Sequence, residues 1–159
     1  MVLLLGNGEG RESTEIYGIL ELKKKKHNTG DLFTVIASCE LPKVDKRRGV
    51  VIITDNSISL KNRMIPSGFI GICEDTNEKA IKIFESSKIP VITCGMGNKN
   101  TVTATSISNG GMLVATQRAF SDIKGRIIEP FEYKMTGYEG CSPFSVMAAF
   151  CVFKIYGMI

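Results

Sequence analysis

The sequence predicts a three-layer α/β fold: a mainly parallel sheet, then an antiparallel C-terminal β meander and a closing helix. Three observations lead there. Short apolar runs stand at residues 2–5, 50–54, 68–73 and 90–94, and such runs mark strands covered on both faces, as in parallel sheets. Helical patterns intervene between them, the arrangement of layered α/β folds. From about residue 101 the texture turns to polar strands around an Asn-Gly-Gly corner, a hairpin signal. A length of 159 residues is most simply one domain, 1–159, with a single substantial core.

Taken in order, Val2–Leu5 is a buried strand that runs into the glycine turn Gly6-Asn-Gly-Glu-Gly10. Ser13 or Thr14 then caps a helix to about Lys26, with Ile16, Ile19, Leu20 and Leu22 on its inner side. Asn28-Thr-Gly-Asp31 is a turn, and Leu32–Ala37 is a second strand. Val50–Thr54, an unbroken β-branched run, is the strongest strand signal in the chain. Gly68–Cys73 is another strand, and it feeds Glu74-Asp75-Thr76 as an acidic cap to a helix ending near Ser87. Ala80, Ile81 and Phe84 form the apolar stripe of that helix. Pro90–Cys94 is the next strand. Thr101–Ile107 and Met112–Gln117 then pair around Asn109-Gly110-Gly111, and Gly125–Phe131 adds a third strand. Ser142 caps a strongly apolar helix to Tyr156, with Pro143 at its first position.

Composition narrows the function classes. With 43% hydrophobic and 23% charged residues, global disorder is excluded. Much of the net charge of +4 comes from Lys23–Lys26 and Lys46–Arg48. Neither run has interleaved aromatics, so nucleic acid is not an expected partner, and lysines at a helix end suit the helix dipole. The cysteines Cys39, Cys73, Cys94, Cys141 and Cys151 contain no Cys-x-x-Cys pair. Neither a zinc site nor a disulfide framework follows from them. Met1-Val-Leu-Leu-Leu is too short and uncharged for a signal peptide, and no run approaches the ~20 apolar residues that span a bilayer. A reducing cytoplasm and no membrane are expected.

The glycine turn is the first place where chemistry could sit. A strand–turn–helix connection offers backbone N–H groups and a positive dipole end to an anion, here through Gly8, Gly10, Arg11, Ser13 and Thr14. A Walker A loop needs Gly-x-x-x-x-Gly-Lys-Ser/Thr for close approach, phosphate charge and magnesium. Arg11 stands near the lysine position, but Glu12 follows it instead of a hydroxyl. Glu9 and Glu12 bring negative charge toward any triphosphate, each costing ~1–4 kcal/mol at about 4 Å. ATP with magnesium is therefore disfavoured, and no cofactor is assigned. The dinucleotide fingerprint of Rossmann folds also fails, since Arg11 stands where its third glycine belongs. The turn is either a plain structural connection or an altered site for a small anion or nucleotide. Asp55 and Asn56 after one strand, and Glu74 and Asp75 after another, are candidates to line a cleft at the carboxyl edge of the sheet. With His27 the sole histidine, at a helix end, a Cys–His mechanism is not expected. No catalytic residue and no metal ligand are assigned.

The closing half carries a family resemblance. Ile89-Pro-Val-Ile-Thr-Cys-Gly-Met-Gly97, Asn100 to Ser108, the Asn109-Gly-Gly-Met-Leu-Val corner, Gly137, and Ser142-Pro-Phe-Ser-Val-Met-Ala-Ala-Phe150 follow in that order. The order resembles the end of the central, ATP-binding domain of the Mur ligases. Thr54-Asp55-Asn56-Ser57 partly echoes the family's Thr-Asn-x-x-x-Asp-His, and Cys73-Glu74-Asp75-Thr76 resembles its Asn-x-Asp-Asp turn. The chain departs from the pattern at Ser142 and Ser145, where the ligases favour asparagine, and in a shortened stretch before Val50. The family's ATP lysine, magnesium hydroxyl, Asp-His pair and carbamylated lysine have no secure counterparts. The resemblance thus implies a stand-alone, degenerate P-loop-like relative, non-catalytic, with a binding or regulatory role in cell-wall (peptidoglycan) precursor synthesis. Alternatives are a nucleotide-binding protein or trimmed ligase using Arg11, or a structural subunit. In the last, the sheet or the Phe144, Phe150, Phe153 and Tyr156 side chains would meet a protein partner or a second copy.

Overall fold

The computed structural model describes residues 1–27, 32–56, 58, 60, 63–108 and 110–159; the turn expected at 28–31, and Asn109 of the expected Asn109-Gly110-Gly111 corner, lie outside them. The elements run β1 (Val2–Leu5), α1 (Arg11–His27), β2 (Val35–Ser38), β3 (Gly49–Ile53), β4 (Phe69–Glu74), α2 (Glu78–Ser87) and β5 (Val91–Gly95). There follow β6 (Val102–Ser108), β7 (Gly111–Thr116), β8 (Phe120–Ser121), β9 (Ile127–Ile128), β10 (Glu132–Met135) and α3 (Pro143–Ile155). Among the described residues eight strands form one sheet in the order β10-β7-β6-β5-β4-β3-β1-β2, and β8-β9 is a separate hairpin. Pairing is parallel from β2 through β6 and antiparallel at β6–β7 and β7–β10. The four apolar runs are thus neighbours at the centre of a mainly parallel α/β sheet, as the sequence predicts.

Their continuous apolar character has a direct cause, since each strand faces two cores. Val2 and Leu4 of β1 join one cluster with Ile16, Ile19 and Leu20 of α1 and the apolar side chains of α3 from Phe144 to Ile155. Leu3 and Leu5 join the other, with Ala80 and Phe84 of α2. No helix crosses between β2 and β3 or between β3 and β4 among the described residues. That part of the second face is closed by Leu41, Ile58 and Ile65, and the Arg63 guanidinium donates to the Leu41 carbonyl at 2.8 Å to join the two segments.

Helix α3 is buried almost all round, which is why it lacks a polar face. The sheet curls over it: Phe131 and Tyr133 bring their rings to 5.7 and 6.1 Å from that of Phe150. Lys154 lies 4.3 Å above Phe131, and α1 packs along the other flank. Phe144, Phe150 and Phe153 therefore fill the protein's own core, and Tyr156 packs partly buried beside them.

Several boundaries differ from the sequence expectation. Helix α1 begins at Arg11, so Ser13 and Thr14 lie inside its first turn instead of capping it. Leu22, expected inside, is 59% exposed. The cap of α2 is Asn77, whose side-chain oxygen accepts the Ala80 N–H at 2.9 Å; Glu74 ends β4 and Asp75 lies in the turn after it. The third meander strand is β10, beyond the stretch 125–131. That stretch is diverted by the Asp122 carboxylate, which accepts the N–H groups of Lys124 and Arg126 and the Arg126 Nε at 2.8, 2.9 and 2.6 Å. Among the described residues no helix is long and apolar enough to cross a membrane.

Candidate functional site

The glycine turn leaves β1 at the carboxyl edge and is held by its own hydrogen bonds. Gly10 N–H donates to the Asn7 carbonyl at 2.7 Å, and Glu9 N–H donates to the Asn7 side-chain oxygen at 3.2 Å. The Asn7 N–H donates to the Asp55 carboxylate in a short contact. Gly6 is required there for space: a Cβ would lie 1.9 Å from Thr54 Oγ1 and 3.0 Å from Asp55 Oδ2. Gly8 meets nothing within 4 Å, so neither space nor a left-handed backbone calls for glycine at that position. Of the other turn candidates, Ser13 shares a 2.9 Å hydrogen bond with Thr54, and the Thr14 hydroxyl donates back to the Gly10 carbonyl at 3.1 Å.

Arg11 points toward α3. Its Nε donates to Glu15 at 2.7 Å and its Nη2 to the Gly140 carbonyl at 2.7 Å. The second oxygen of Glu15 accepts the Ser142 N–H at 2.8 Å, so one carboxylate joins the starts of α1 and α3. Burial works against the charge on Glu15, yet the Ser142 N–H and Arg11 hold its carboxyl below the ordinary range. Glu12 is the opposite case: burial, reinforced by Glu74 and Glu15, raises its pKa. Burial also raises Cys141 beside them, with Glu15 adding to the effect.

The third part of the edge is built where β4 and β5 end. Asp75 accepts the Asn100 side-chain N–H at 2.8 Å, and the same amide group donates to the Gly97 carbonyl at 3.1 Å. This clamp lets the chain double back over residues 96–101 and enter β6 parallel to β5, far shorter than the usual crossover. Gly95 is needed for it, because a Cβ there would stand 2.5 Å from Asn100 Nδ2 and 2.6 Å from Asp75 Cγ. Glu12, Glu74 and Asp75 line a cleft of about 350 Å³ whose apolar wall is Met96, Phe144 and Met147.

The structure thus gathers Glu74 and Asp75 into one cleft and ties Asp55 to the turn beside it. Asn56 faces a separate depression with Lys79, which donates to its carbonyl at 2.6 Å. Asn100, Gly95 and Glu15, absent from the sequence candidates, complete the edge. Only the Gly-x-Gly after β5 hinted at the first two. The chemistry available is recognition by carboxylates beside an apolar surface. Thiol nucleophilicity is suppressed where burial pushes Cys73 up to about 12, and where the contact with Cys151, with burial, raises Cys94 well above the ordinary thiol value. Among the described residues no three His, Cys, Asp or Glu side chains are grouped so as to hold a metal ion. No protein-family model matches this chain, and no curated protein sequence matches it either.

Proposed function

We propose that this protein is a non-catalytic binding or regulatory protein whose carboxyl-edge cleft takes a neutral or cationic ligand with an apolar part, in place of a nucleotide. The observation that carries the reading is the Asn7–Asp55 hydrogen bond. In a phosphate-binding turn such an N–H faces the ligand; here it faces a tethered carboxylate. A polyphosphate entering the turn would have to displace Asp55 and then meet Glu12 and Glu74. The resemblance to the Mur ligase central domain is what links the role to cell-wall precursor synthesis.

The competing reading, a nucleotide-binding protein or trimmed ligase using Arg11, requires that guanidinium to leave both Glu15 and the Gly140 carbonyl. A thermal-shift titration with millimolar Mg-ATP separates the two. The binding-protein reading expects no stabilisation that depends on Arg11. A saturable rise in Tm that vanishes in Arg11→Ala would favour the nucleotide reading.

A further inference from the structure

Strand β10 ends the sheet: β7 pairs with one side of it, and among the described residues no strand pairs with the other. The phase of that pairing decides what the open side offers. The Thr116 N–H donates to the Phe131 carbonyl at 2.8 Å. Antiparallel hydrogen bonds recur at alternate residues, so Tyr133 and Met135 also turn their backbone groups to β7. Glu132 and Lys134 turn theirs outward, and Glu132, Tyr133 and Lys134 are all exposed. We propose that this edge is a self-association surface, where β10 pairs antiparallel with β10 of a second copy about a two-fold axis at Tyr133 and joins the two sheets into one.

Charge complementarity selects a second copy as the occupant. In a two-fold interface, where residue i meets j, j also meets i. With the axis at Tyr133, Glu132 of each copy lies opposite Lys134 of the other. Both are outward residues, so each such pair also exchanges its two backbone hydrogen bonds, and opposite charges directly across an antiparallel pair attract. The neighbouring registers that keep outward residues together are worse. One sets Glu132 against Glu132 and Lys134 against Pro130, which has no N–H to give. The other sets Lys134 against Lys134, and like charges in that position repel. Among the described residues neither Glu132 nor Lys134 forms an ion pair within the chain. On the α3 side of β10, where the Tyr133 ring lies 6.1 Å from that of Phe150, the two Tyr133 rings would meet as a close cross-strand pair. Tyr133 is 36% exposed and shares a depression with Leu22, so a second copy would shield apolar surface there. The opposite end of the sheet does not fit β10, because β2, Val-Ile-Ala-Ser, carries no charge to answer Glu132 and Lys134. A strand of four residues makes a small interface, so the association is weak.

The test is sedimentation equilibrium of the full chain over a concentration range that reaches high micromolar. The expected result is a reversible monomer–dimer equilibrium without larger species. E132K and K134E each set like charges opposite one another at both pairs and weaken the dimer about tenfold or more. The double variant E132K/K134E exchanges the two charges and restores the parent affinity. An equimolar mixture of E132K and K134E associates more tightly than either variant alone, because each then meets its opposite charge. Both side chains are exposed, and the mixture gives a gain that a folding defect could not produce. A monomer at every concentration overturns the proposal. So do open-ended polymers, the product of one edge meeting a different one, and a dimer that E132K and K134E leave unchanged.

Discussion

The carboxylate of Asp55, just beyond β3, accepts the backbone N–H of Asn7 in the turn that follows β1. The two residues are 48 positions apart, yet the parallel register of β1 and β3 sets Leu5 beside Ile53 and so delivers Asp55 to the turn. A side chain held there by two strands competes with any free anion without the entropy cost of association. The glycine turn therefore carries a negative charge of its own on one of its backbone N–H groups.

The edge of the cleft depends on one close approach. Gly95→Ala would drive a Cβ into the Asp75–Asn100 pair and is expected to destabilise by about 1–3 kcal/mol, the usual cost of overpacking. Gly8→Ala, with open space at its Cβ position, should stay within about 0.5 kcal/mol of the parent or slightly exceed it. Urea unfolding of both variants gives the comparison. Equal effects would show that the clamp is not tight.

Glu12 and Glu15 should respond to pH with opposite signs. The raised pKa of Glu12 means that its contribution to stability is full below the ordinary value of 4.5 and lost as pH rises through the folded value. The lowered pKa of Glu15 means that its contribution is present above 4.5 and lost as pH falls through the folded value. At pH 7, then, Glu12→Gln should be more stable than the parent and Glu15→Gln less stable. Both differences should shrink on acidification, that of Glu12→Gln by about pH 4 and that of Glu15→Gln at lower pH. Denaturation series at several pH values supply the measurement, and a shift of the same sign in both variants would contradict the assignment.

The central strands were legible because burial on both faces leaves no room for a polar residue in them. Val50 to Ile53 are all fully buried, and the sequence there is unbroken Val-Val-Ile-Ile. Helix α3 was legible from Ser142-Pro143, which starts it as expected. Other features depend on distant partners. Leu22 looks like an inner residue by periodicity, but it is exposed near the end of α1, beyond Ile16, Ile19 and Leu20, which pack on the core. The third meander strand was misplaced because Asp122 makes a local turn that hydrophobicity cannot signal. In the candidate site, the glycine turn and the acidic pair Glu74-Asp75 could be read directly. The closure of the turn by Asp55 and the clamp of Asp75 by Asn100 could not, since their partners are 48 and 25 residues away.

Thr116 offers a test of polar satisfaction in the core. Its hydroxyl is buried and, among the described residues, has no hydrogen-bond partner. Thr116→Val keeps the shape and removes the unsatisfied group, so it should be neutral or stabilising by up to about 1–2 kcal/mol. Chemical denaturation is sufficient to check it. A loss of more than about 1 kcal/mol would mean that the hydroxyl is satisfied in solution, for example by a buried water.

The most direct test of the central claim is calorimetric titration of the full chain with Mg-ATP, run in parallel on Arg11→Ala. The account predicts no Arg11-dependent binding up to millimolar nucleotide. A micromolar Kd that disappears in Arg11→Ala would show that the turn opens, releases Asp55 and holds the nucleotide, which would contradict the account.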